Sequence, residues 1–145
     1  MREVRALPAR ERVFLLSLMY HGYRVTKKRS GLKKKKGYIC WSTKREDASG
    51  IDFWVKEPRC EEMLPIQITR RGDAIFREYH PVYSEQRFND FIERTESRLR
   101  RKRDMCRRNR IAFVLIRDHA KRSVNTALAW GDVKALRYAL QRFKR

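Results

Sequence analysis

Residues 50–69, GIDFWVKEPRCEEMLPIQIT, hold two short apolar runs joined by a loop that contains Pro58. Along Ile51 to Val55, the residues Ile51, Phe53 and Val55 face one way, and Asp52, Trp54 and Lys56 face the other. Along Leu64 to Thr69, Ile66 and Ile68 oppose Gln67, Thr69 and the following Arg71. Alternation of this kind, rich in β-branched and aromatic residues, predicts two strands with one face on a core. Tyr38 to Thr43 (YICWST) has the same composition, so the three runs predict a meander. Between the first two, KREDASG reads as a turn carrying Glu46 and Asp47.

Helices flank this centre. Leu7 to about Tyr23 has Phe14, Leu15, Leu18 and Met19 on one face at 100° per residue, with Leu7 extending it. Glu11 falls near the middle of that face. Two readings stand: a helix-start acid favoured by the dipole and reaching back to solvent, or a carboxylate aimed inward at a polar site. After the meander, Ser84 is placed to cap a long helix running to about Asn109. Its buried stripe is Phe88, Phe91, Ile92, Thr95, Leu99 and Cys106. Ile111 to Ile116 (IAFVLI) is a continuous apolar run, which predicts a central strand covered on both faces with that helix as its crossover. Val124 to Trp130 reads as another strand, and Asp132 as the cap of a closing helix with Val133, Leu136, Leu140 and Phe143 inward. The expected order is αβββαββα, in one α/β domain spanning residues 1–145.

Charge narrows the function. Among 145 residues there are 37 Lys and Arg against 17 Asp and Glu, a formal net charge of +20. Like charges in one small domain repel, so such an excess points to a polyanionic partner. Nucleic acid is favoured over an anionic membrane, because no long apolar run and no basic amphipathic end segment is present. Two blocks carry the charge. Eight of the thirteen residues from Arg24 to Lys36 are basic, including Lys33, Lys34, Lys35 and Lys36. With Gly31 and Gly37, residues 24–37 read as a flexible loop. The second block is the C-terminal half of the long helix, with Arg98, Arg100, Arg101, Arg103 and Arg107 among its cations. One or two would compensate the helix dipole; the surplus reads as a phosphate-tracking surface. Cys40, Cys60 and Cys106 are odd in number and widely spaced, which favours inert thiols in a reducing compartment over disulfides or zinc. The opening MREVRALPARER lacks the apolar stretch of a signal peptide, so a cytoplasmic location is expected.

The run EDASGIDFWV followed by LPIQIT resembles the PD-(D/E)XK nuclease superfamily, the restriction-endonuclease-like fold, over about Leu7 to Ile116. In that family an Asp begins the second core strand, and the third carries Glu or Gln, one residue, and Lys. The resemblance implies a mixed sheet flanked by helices. It also implies metal-dependent hydrolysis of phosphodiester bonds, in DNA ahead of RNA, with Mg²⁺ or Mn²⁺ as cofactor. It makes Asp52 the principal metal ligand, Gln67 a second through its amide oxygen, the Ile68 carbonyl a third, and Glu11 a helix-borne acid of the same shell. The chain departs from the pattern at Thr69, which stands where the family has its lysine. A hydroxyl carries no charge, so the cation would come from Lys56 on the Asp52 face or Arg71 on the Gln67 face. The family also makes a homodimer an expectation, for symmetric cutting of two strands. The alternative is a decayed nuclease fold acting as a DNA- or RNA-binding module. A third option is a basic RNA-binding protein unrelated to nucleases.

Overall fold

The computed structural model describes residues 9–70, 85–116 and 126–143. Its first element, α1 (Ala9–Tyr20), buries Phe14, Leu15 and Leu18 as the spacing predicts, together with Val13 and Ser17. Met19 differs: it is 42% exposed, because the buried stripe turns toward Val13 and Ser17 instead. The helix also ends three residues before the expected Tyr23. The amide of Tyr23 donates to the Leu18 carbonyl (3.0 Å) and that of Gly22 to Met19 (3.1 Å). These two bonds close a Schellman turn, with Gly22 in the left-handed region at φ 91°.

That turn delivers the chain straight to the sheet. Arg24–Thr26 forms strand β1, parallel to β2 (Tyr38–Trp41), with Arg24 opposite Tyr38 and Thr26 opposite Cys40. Part of the basic segment read as a loop is therefore an edge strand, held by the buried Tyr23 and by Val25 packed on the core. Gly37 closes the crossover because a Cβ there would sit 2.7 Å from the Tyr23 ring. After β2, the expected turn is a short helix, α2 (Lys44–Ala48). Thr43 and Glu46 form a reciprocal capping box, the Thr43 hydroxyl accepting from the Glu46 amide and the Glu46 carboxylate from the Thr43 amide.

Strands β3 (Phe53–Lys56) and β4 (Leu64–Arg70) complete the meander, β3 running antiparallel to both neighbours. Helix α3 (Glu85–Arg108) then crosses over to β5 (Ala112–Ile116), which lies parallel to β4. The sheet order is β1-β2-β3-β4-β5. Among the described residues β5 is thus an edge strand, not a central one, and only alternate residues are fully buried. The last element corrects the expectation of a strand at Val124–Trp130. From Thr126 the chain is helix α4 (Thr126–Phe143); Val124 lies outside the described residues, as do Leu7, Arg71 and Ser84. Ala129, Val133, Leu136 and Leu140 are buried at helical spacing, and this carries the helix back through the segment read as a strand. Asp132 consequently sits inside the helix rather than capping it, and its Oδ2 accepts a 2.8 Å bond from the buried Ser17 hydroxyl of α1.

The result is a mixed α/β architecture in which helices cover both sides of a five-stranded sheet. One core cluster joins Phe14, Leu15 and Leu18 of α1, Val133 and Leu136 of α4, and the sheet residues Ile39, Phe53, Val55, Ile66, Ile68 and Val114. α1 and α4 therefore share one face. The other face carries Trp54, Lys56, Gln67, Thr69, Phe113 and Leu115, and α3 lies against it, with Arg103 over the Phe113 ring (5.6 Å). Burial of Thr95, Leu99 and Cys106 agrees with the predicted α3 stripe, and Phe91 and Ile92 are half-buried. No helix among the described residues is long and apolar enough to cross a membrane.

Candidate active site

The join between β3 and β4 gathers part of the predicted constellation. Asp52, just ahead of β3, donates its amide to the Ile66 carbonyl (2.8 Å). Its carboxylate Oδ2 accepts the Ile68 amide at 2.7 Å. The side chain is thereby aimed along β4 at the level of Gln67. Gln67 is buried on the α3 side of the sheet, and its amide nitrogen donates to the Ile68 carbonyl at 3.1 Å. Gly50 backs this corner: with φ +95°, a Cβ there would crowd Met105 Cε at 3.1 Å and stand in ordinary contact, 3.7 Å, with Gln67 Oε1. Asp52, Gln67 and Ile68 are thus brought together.

Glu11, Thr69 and Lys56 are each buried. Glu11 is only 5% exposed, which decides for the inward reading, and it stands on α1, the helix packed on the Phe53–Ile66 face. Thr69 is 1% exposed, and its hydroxyl has no hydrogen-bond partner among the described residues. Lys56 is also 1% exposed, and its ammonium donates to the carbonyls of Lys36 (2.7 Å), Lys34 (3.1 Å) and Glu57 (3.3 Å). Four residues along an extended strand is about 13 Å, and this ammonium is spent on the basic loop rather than delivered to Asp52. It corrects the flexible-loop reading too: Lys33–Lys36 is a turn pinned from below by a buried cation. The four lysine side chains themselves remain exposed.

A residue to which strand alternation does not lead also feels this corner. Cys106 on α3 has its thiol pushed up to about 11, first by burial and then by the charge of Asp52, with Lys102 acting in the opposite sense. Asp52 and Lys102 therefore both act on one buried sulfur. The signal is present in the sequence: Thr95, Leu99, Lys102 and Cys106 follow helical spacing, so Lys102 is a cation set in an otherwise buried stripe. Of the predicted arginines on this helix, Arg100, Arg101, Arg103 and Arg107 are exposed and Arg98 is half-buried.

The tryptophans are mostly packing elements. Trp41 lies against Phe53 (centroids 5.3 Å apart), and Trp54 is covered by the Arg29 guanidinium at 4.5 Å. Arg29 also pairs with Glu46 at 2.6 Å, and this pairing, before all else, draws the Glu46 carboxyl down to about 2.

Hard oxygen donors suit Mg²⁺, which needs only one or two carboxylates and takes the rest of its shell from water and phosphate. Asp52 and the Gln67 amide oxygen fit that minimum. The Ile68 carbonyl is engaged by Gln67, and no group of three or more His, Cys, Asp or Glu that could hold a metal occurs among the described residues. Compared with known proteins, the chain matches no family model, no curated protein and no solved structure.

Proposed function

We propose that this chain binds nucleic acid, DNA ahead of RNA, and hydrolyses its phosphodiester bonds at the Asp52–Gln67 corner with the help of Mg²⁺ or Mn²⁺. The observation that carries the reading is the carboxylate of Asp52 fixed by the Ile68 amide beside Gln67 (2.7 Å), beneath an arginine-rich helix. With the edge strand β1 and the short α2 set aside, the order α1-β2-β3-β4-α3-β5, with only β3 antiparallel to its partners, supports the resemblance to the PD-(D/E)XK nucleases, which is a likeness of element order and motif.

Asp52 and the Gln67 amide oxygen would hold the cation, which when bound polarises the scissile phosphate. The remaining work falls to the chain's own groups. Backbone bonding to Ile68 keeps the Asp52 carboxylate from swinging away. Lys102, on the α3 side of the sheet like Gln67, would supply the positive charge that Thr69 cannot. The arginines of α3 hold the flanking phosphates. A second reading, a nucleic-acid-binding module without catalysis, is favoured by one feature. The Ile68 carbonyl, third in the expected ligand set, is satisfied inside the protein.

Cleavage of labelled single-stranded, duplex and branched DNA and of RNA, with Mg²⁺ or Mn²⁺, separates the two. Asp52→Ala is expected to abolish cleavage and leave binding intact, and Lys102→Met to slow cleavage with little change in affinity. No cleavage of any form, before or after Thr69→Lys, would leave the binding module.

A further inference from the structure

At the outer edge of β5, between the C-terminal half of α3 and the last turns of α4, lies a groove of about 680 Å³. Its walls bring four arginines, Arg103, Arg107, Arg110 and Arg142, around three aromatic rings, of which Phe113 and Tyr138 carry an arginine, and among the described residues no acidic side chain lines it. The arginines already use those rings: the Arg103 guanidinium lies 5.6 Å from Phe113 and that of Arg142 5.6 Å from Tyr138. Arg142 also donates to the Tyr138 hydroxyl at 3.3 Å, which steadies a ring that is 62% exposed. From this we infer that the groove takes an unpaired stretch of nucleic acid, bases against Tyr138 and Phe113 and phosphates on the arginines.

Three observations carry this. The combination of stacking faces and cations without acids is what a single strand requires, since every base offers a π-face and every linkage a charge. The volume lies within the ~300–1,000 Å³ of sites that hold small ligands, so it admits a splayed nucleotide or two and excludes a stacked duplex. The third is Arg110. Helix α3 ends with the Ile111 amide on the Cys106 carbonyl (2.8 Å), and the residue at the left-handed position, φ 56°, is Arg110 where glycine is the ordinary choice. That cap turn ends the helix and at the same time sets the Arg110 side chain on the wall of the groove. The groove also borders the proposed site, since Cys106 lines it and responds to the charge of Asp52.

The inference rests on the nucleic-acid reading above and adds the form of the substrate: an unpaired strand or the single-stranded arm of a branched one. Fluorescence anisotropy of the full chain with a short oligothymidylate, and with a blunt duplex of equal length at the same salt, tests it. The single strand is expected to bind more tightly. Tyr138→Ala removes an exposed ring, and should weaken the single strand by about 10-fold while sparing the duplex. Arg110→Gly should weaken the single strand and raise the melting temperature, a pair of effects that misfolding cannot produce. Equal affinity for both forms, no response to Tyr138→Ala, or equal competition by polyglutamate would overturn the groove assignment with nucleic-acid binding intact. Absence of binding to either form would instead overturn the reading beneath it.

Discussion

Single residues in this molecule work against what their type suggests, and each such case yields a test. Lys56 is a buried cation with no acidic partner among the described residues. It satisfies three carbonyls, two of them in the Lys33–Lys36 turn, so that turn needs no helix or ladder of its own. Replacing it by Met conserves bulk but leaves those acceptors unpaired. Lys56→Met is expected to cost about 2–4 kcal/mol, well above a volume-conserving swap, as measured by urea denaturation. If Lys56 were instead the missing catalytic cation, cleavage would fall while stability held. Arg110 gives the opposite sign. Left-handed backbone is disfavoured for side-chain-bearing residues by roughly 1–2 kcal/mol, so Arg110→Gly should stabilise the fold by about 1 kcal/mol. Gln67 and Asp52 are legible from strand alternation, because a period of two fixes which side chains share a face. Lys102 is legible as well, by its place in a buried stripe. What alternation cannot give is the engagement of the Ile68 carbonyl by its own neighbour, which depends on a side-chain torsion.

Between elements, the informative contacts are polar ones at helix and sheet borders. The Ser17 hydroxyl of α1 lies 2.8 Å from both the Val13 carbonyl and the Asp132 carboxylate of α4, and its single proton serves one of these acceptors at a time. This bond ties together the two helices that cover the Phe53–Ile66 face. Ser17→Ala is expected to destabilise by about 1–3 kcal/mol, the cost of withdrawing a donor from a buried acceptor, and differential scanning calorimetry reads it. The same bond explains a misplaced element. Asp132 looks like a helix cap because capping and buried pairing both call for a short acid, and only the partner 115 residues away distinguishes them. The strand expected at Val124–Trp130 fails for a related reason: TALAW is apolar enough for either structure, and the decisive spacing from Ala129 to Leu140 lies across the presumed boundary. By contrast the meander is fully readable, since three alternating runs have few other ways to pair. On the rim, Arg29 joins the basic loop to α2 through Glu46. Glu46 titrates at about 2 when folded, well below its ordinary 4.5. A depressed carboxylate stabilises above its unfolded pKa, so this contribution is complete above pH about 4.5 and is lost as pH falls toward about 2. Glu46→Gln should flatten the acid limb of the stability profile over that window. An unchanged limb would show the pair to be a surface contact without weight.

At the scale of the whole molecule, the net charge of +20 is distributed over two clusters that differ in chemistry. The Lys33–Lys36 turn offers point charges above a pinned backbone. The arginines of α3 offer planar donors that grip phosphate in two places and stack on rings. The contrast between a floppy loop and a rigid helix, which sequence alone suggests, does not survive the Lys56 clamp. The chemistry of their side chains still separates the two clusters. Changing Arg100, Arg103 and Arg107 together to Ala is therefore expected to weaken binding more than changing Lys33 to Lys36, although it removes one fewer charge. Salt supplies the independent check. If about six to ten cations contact phosphate, affinity should fall on the order of 10³- to 10⁵-fold between ~50 and ~200 mM salt. The slope of log affinity against log salt should shrink in both variants, by about 0.7–0.9 for each phosphate no longer neutralised. The arginine variant should show an additional, salt-independent weakening, because stacking and planar hydrogen bonding do not depend on released counterions. Parallel lines displaced by charge count alone would mean that α3 contributes only its field, and that its arginines are interchangeable with the lysines of the loop.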